Sequence, residues 1–281
     1  MWAVPGRDEH DARGRLVEVK PEVLVPELVT WLNRVVRPLT RPVVVSFLKD
    51  ETQIPRDAVR PSESFGQPIR PCEAVRYARH EGLPSVMLRE DFASDCPIGP
   101  FTFGVIPPSD DWLDGRMALN ICTDSHDVAR KMVRGIPRLG VEEFGAFAFR
   151  PLEMATQAFD ILVVYANSLQ TMKLIEATRW NRGDPLVPNI TARAACANSI
   201  VQPFLRGEPS ISIPCGGDRA WGRSQDTELI FSIPYSALED LLVGLKGYHR
   251  AHQRASLGEP TPVELNYKPF AERIEPLLRS G

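Results

Sequence analysis

Apolar positions change period several times along the chain, and each change predicts an element. Over 23–36, Leu28, Val29, Leu32, Val35 and Val36 recur at helical spacing, which predicts an amphipathic helix from about Pro26 to just before Pro38. Val43 to Leu48 is instead a short β-branched run, the pattern of a strand covered on both faces. The proline-rich stretch 54–71 reads as loop, 72–81 as a helix stopped by Gly82 and Pro84, and 85–88 as a short strand. Further on, 98–105 predicts one or two helical turns, 117–122 a strand, 125–134 a helix capped by Ser125, and 144–152 a strand. The run 160–166 (DILVVYA) is the clearest buried strand. After it come a helix over 168–180, a helix over 195–205 bent or ended at Pro203, strands over 210–214 and 228–233, and a long amphipathic helix over 236–253. Strands mixed with helices predict an α+β or α/β fold, with mixed sheets and flanking helices. Residues 1–40 read as a helical extension, 41–256 as a single globular domain, and 257–281 as a proline-rich tail across the surface.

Two stretches inside that domain run alike. From 71 to 96 the order is cysteine, helix, Gly82-Leu83-Pro84-Ser85, strand, cysteine; from 195 to 215 it is cysteine, helix, Gly207-Glu208-Pro209-Ser210, strand, cysteine. Each follows a buried strand. The likeness predicts two related half-domains, 41–150 and 151–256, packed about a pseudo-twofold axis that draws the two cysteine pairs together. A chance Gly-x-Pro-Ser turn between helix and strand is the plain alternative.

Composition adds exclusions. A chain of 281 residues with 43% hydrophobic and 25% charged positions can bury a core without staples, and a net charge of −3 argues against nucleic-acid binding through bulk charge. No apolar run approaches the ~20 residues of a membrane helix or resembles a signal peptide, so a cytoplasmic protein with reduced thiols is expected. The expected partner is a small molecule, not nucleic acid or membrane, with homo-oligomerisation left open. Prolines are abundant, 26 in all.

The five cysteines carry most of the candidate chemistry. Their odd number does not suit a disulfide framework. Cys72 and Cys196 each open a predicted helix, where free amides and the helix dipole favour a thiolate. Cys96 precedes Pro97-Ile98-Gly99, and Cys215 precedes Gly216-Gly217, so both stand at chain reversals. Thiolates so placed suit an iron-sulfur cluster or zinc, although no two form a CxxC pair; buried thiols are the structural alternative. Cys122 has no counterpart in the other half and reads as a buried apolar residue.

These residues also carry a resemblance. Pro42-Val43-Val44-Val45 with Phe47-Leu48-Lys49-Asp50, Pro71-Cys72-Glu73-Ala74-Val75, Asp95-Cys96-Pro97-Ile98-Gly99, Ala195-Cys196 and Ile213-Pro214-Cys215-Gly216-Gly217-Asp218-Arg219 together resemble the family known as domain of unknown function 169, from about Pro42 to about His252. The resemblance implies that Cys72, Cys96, Cys196 and Cys215 are motif positions, and it implies no activity.

The function expected from the residues is a metal- or iron-sulfur-binding enzyme acting on a small molecule. A four-iron cluster on three thiols leaves an iron open for Lewis-acid lyase, dehydratase or desulfurase chemistry, with Glu73 and Asp95 as candidate proton carriers beside the motif cysteines. Four thiol ligands close the site, whether cluster or zinc. Gly216, Gly217, Arg219 and Arg223 form a glycine-rich, basic loop expected to hold substrate. The rival expectation is a non-catalytic ligand-binding or structural domain with buried thiols or a closed zinc site.

Overall fold

The computed structural model describes residues 20–255 apart from 97, 189, 192 and 193. The first nineteen residues of the expected N-terminal extension and the expected C-terminal tail lie outside them. Six strands form one antiparallel sheet in the order β2-β3-β1-β4-β6-β5: β1 Val43–Leu48, β2 Ser85–Met87, β3 Ala146–Pro151, β4 Ile161–Ala166, β5 Ser210–Ser212 and β6 Leu229–Pro234. The helices in chain order are α1 Pro21–Trp31, α2 Pro61–Ser64, α3 Pro71–Arg76, α4 Gly99–Thr102, α5 Asp110–Leu113, α6 His126–Arg134, α7 Ser168–Arg179, α8 Gln202–Arg206, α9 Gly216–Ala220 and α10 Leu238–Ala255. The fold is α+β.

The sheet is built around its central pair. Val44 faces Leu162 across β1 and β4, with Val43 opposite Val163 and Val45 opposite Ile161. The flanks repeat one register: Val43 opposes Pro151 as Ile161 opposes Pro234, and Ser85 opposes Phe149 as Ser210 opposes Ser232. The pairing registers of the two three-stranded flanks are therefore symmetric about the Val44–Leu162 pair. In each flank the edge strand follows a helix with a π-helical turn, Tyr77–Glu81 or Ala197–Val201, and a glycine at positive φ, Gly82 or Gly207.

Alternation along the strands sends side chains to two cores. Val44, Leu162, Val164, Phe231 and Ile233 pack with α1, α7 and α10, where Leu24, Leu28, Leu174, Leu241 and Leu245 are buried. Val43, Val45, Phe47, Phe147, Phe149, Ile161 and Val163 face the other way, against Ala74, Val75 and Ala78 of the first-flank helix and Ile200 and Val201 of the second. A third cluster, with Trp112, Ala118, Ala129 and Val133, joins the connection between β2 and β3 to Ala194 and Ala197.

Two local expectations differ from the structure. The 117–122 stretch is no strand: Ala118 and Cys122 close helical turns onto Gly115 and Ala118, and Asn120 has φ 61°. Its apolar residues instead line a cavity. The Gly216-Gly217 turn is the start of α9, with Arg219 N–H bonded to the Cys215 carbonyl. The helix expected over 195–205, bent or ended at Pro203, does not end there: a π-helical turn over Ala197–Val201 runs directly into α8, with Pro203 in the first turn of α8.

Candidate functional site

A cavity of about 710 Å³ lies on the second face of the sheet, and all five cysteines line it. Its floor is Val163 and Tyr165 of β4 and Ile230 of β6. Cys72 enters from the start of α3, Cys196 from the turn leading into the π-helical segment, and Cys215 from the residue before α9. The connection between β2 and β3 closes the cavity with Cys96, Ile98, Met117, Ile121, Cys122, Met132 and Ile136. The pairing of edge strands sets this convergence: each strand returns the chain beside its own helix, so both helix starts and both second cysteines arrive on one face.

Each of the four motif thiols has a distinct setting. Cys72 Sγ donates to the Gly217 carbonyl at 3.7 Å, and the Gly99 N–H donates to Cys96 Sγ at 3.3 Å. Burial pushes the Cys72 thiol well above its usual range, and the charges of Asp218, Cys96 and Cys215 push the same way. Burial likewise raises Cys96, against the pull of the Gly99 and Ile98 amides, with Cys215 adding to the rise. Cys196 is raised by burial and then by Cys96, Cys215 and Cys72. Neighbouring motif cysteines thus add to the upward push at Cys72, Cys96 and Cys196. At Cys72 and Cys196 desolvation thus pushes in the opposite direction to the helix-start effect expected from the sequence. Cys122, set aside in the sequence as plain core, lines the same cavity. Among the described residues no three Cys, His, Asp or Glu side chains stand together as ligands of one ion.

Two other residues face the cavity that no sequence motif singles out as polar machinery. Tyr165 donates to Asp218 Oδ1 at 2.8 Å, and Asp218 is 2% exposed. Burial raises the Asp218 carboxyl, opposed by the hydrogen bonds it accepts and by Arg79. The Arg79 guanidinium lies 3.8 Å from the Tyr165 ring centroid, bonds Thr40 Oγ1 at 2.7 Å and forms a buried ion pair with Glu228. In sequence Tyr165 is one more residue of an apolar strand and Asp218 an acid after a glycine pair; the fold brings Asp218 of α9 against Tyr165 of β4.

The remaining candidates sit elsewhere. Arg70 holds both proposed proton carriers: Glu73 Oε2 accepts from its N–H at 3.0 Å and from Nη1 at 2.8 Å, and Asp95 pairs with Nη2. Neither carboxylate lines the cavity. Gly216 and Gly217 do line it, while Arg219 pairs with Asp226 at 2.5 Å and Arg223, at φ 56°, is not among the lining residues. Among the described residues no helix is long and apolar enough to cross a membrane.

An uncharacterized protein of Methanocaldococcus jannaschii, MJ0308, is 21% identical over 211 residues, covering 74% of this chain and 88% of the relative. No solved structure matches the chain. A family model described as "Uncharacterised ArCR" matches residues 31–244, which takes in all four motif cysteines and both flanks of the sheet; the chain belongs to the domain of unknown function 169 family.

Proposed function

We propose that the chain is an enzyme that holds an iron-sulfur cluster through Cys72, Cys96, Cys196 and Cys215 and uses it on a small molecule in the same cavity. The observation that supports this reading is that all four thiols, carried by separate elements, line one cavity. A single zinc ion is less well served. Zinc-sulfur bonds of ~2.3 Å require ligand sulfurs only about 3.8 Å apart, and no such group of three gathers among the described residues. A cubane carries its thiolates on outer corners and suits a wider spread.

The cluster supplies a Lewis-acidic iron if one thiol stays free, and electron transfer or support if all four bind. The chain's own residues then divide the remaining work. Asp218 and Tyr165 face the cavity and are placed to move a proton, in preference to Glu73 and Asp95, which Arg70 engages outside it. Raised thiols also mean that loading releases protons to solvent.

Anaerobic purification or reconstitution, followed by iron and sulfide analysis, tests the reading. The expected result is a brown protein with ~4 iron and ~4 sulfide per chain, with loading lost in Cys72→Ser and Cys215→Ser but kept in Cys122→Ser. A colourless, iron-free wild type that folds normally overturns it. That outcome favours the rival, a ligand-binding domain with permanently protonated thiols, for which the upward push on Cys72, Cys96 and Cys196 speaks.

A further inference from the structure

The wall added by the β2–β3 connection is chemically unlike the thiol side. Met117, Ile121, Met132, Val133 and Ile136 supply it, continued by Ile190. Among the described lining residues there is no lysine, arginine or histidine, and Asp218 is the single carboxylate. Three arginines close by in sequence are committed elsewhere: Arg70 to Glu73, Asp95 and the face of Trp221, Arg219 to Asp226, and Arg79 to Glu228. An anion entering the cavity would lose its hydration, meet a carboxyl and several thiols, and find no cation among these groups. An apolar body would instead displace water from a surface whose two methionines adapt to its outline.

We propose that the cavity takes an uncharged, largely apolar small molecule, its body against Met117, Ile121, Met132 and Ile136 and a hydrogen-bonding group toward Tyr165 and Asp218. The volume of about 710 Å³ lies within the ~300–1,000 Å³ of sites for single small ligands. Ile121, 61% exposed yet part of the lining, sits at the rim where such a ligand enters. This assignment names the substrate class of the site discussed above and rests on that reading for its chemistry, although binding itself needs no cluster.

The full chain, reduced and free of metal, is titrated with the uncharged fluorophore N-phenyl-1-naphthylamine, and bound dye is then displaced with octanol or octanoate. The expected result is a fluorescence rise reversed by octanol, with octanoate weaker by about tenfold or more. Ile121→Asp at the rim and Met132→Asp on the wall should each weaken dye binding by about tenfold, with circular dichroism and melting unchanged at the exposed Ile121. Equal competition by octanoate, dye binding unaffected by both substitutions, or no dye binding at all would overturn the assignment. Iron and sulfide loading measured on the same variants keeps the two ideas apart: a wild type that binds dye but never loads iron overturns the cluster alone.

Discussion

Arg79 is the residue that couples the core to the cavity. It is 1% exposed, pairs with Glu228 and lies over Tyr165, which in turn holds Asp218. Removing one member of such a pair strands the other charge away from water, so Arg79→Met is expected to cost about 3–5 kcal/mol in urea unfolding. The double variant Arg79→Met, Glu228→Leu should recover most of that loss, since no unpaired charge remains. Asp218 behaves differently. Burial raises its carboxyl, so the fold favours the protonated form, and the wild type loses stability as pH rises from the ordinary carboxylate range through the raised value. Asp218→Asn, which keeps an acceptor for Tyr165, should therefore melt higher than wild type at neutral pH. Melting followed against pH should show the advantage vanish below about pH 4, and a gain that persists in acid would mean another cause.

Among the elements, α7 and α10 approach closely at Gly244. A Cβ built on Gly244 would stand 1.8 Å from the Ala177 carbonyl oxygen, which is backbone and cannot swing aside. Gly244→Ala is therefore expected to force the helices apart at about 1–3 kcal/mol or more. Gly207→Ala meets nothing within 4 Å but keeps φ at +63°, so it should lose only the roughly 1–2 kcal/mol of left-handed strain. Comparing the two unfolding curves separates packing from conformation. The elements that were legible in the sequence were those whose cause is local. The β-branched run Val43–Leu48 and the apolar run of β4 need no distant partner to be strands, and a helix over the first-flank motif was set by Gly82 and Pro84. What was not legible depends on contacts far along the chain. Residues 117–122 have the apolar content of a strand but spend it on the cavity wall. The glycines at 216 and 217 signalled a turn, whereas the carbonyl of Cys215 starts a helix there. That Cys72, Cys96, Cys196 and Cys215 would come to one place was readable from the repeat. That Cys122 shares the cavity was not, because the connection that carries it has no counterpart to reveal its path.

At the scale of the molecule, one sheet serves both flanks, and the cavity borrows walls from each. The two helical layers cross the central pair of strands without a break, and the third cluster ties the β2–β3 connection to Ala194 and Ala197. Unfolding should accordingly be a single transition in which tryptophan fluorescence and far-UV circular dichroism coincide; an early fluorescence phase would mean that the connection holding Trp112 opens by itself. The symmetric register has a further consequence, at the outside of the sheet. Both edge strands are three residues long and entered from a proline, at 84 or 209, that cannot donate to a ladder, and Val59 bridges the outer side of β2. The long, mostly apolar strands are confined to the middle, where both neighbours are present. A six-stranded sheet this hydrophobic would otherwise offer a template for another chain, and its two abbreviated borders deny one.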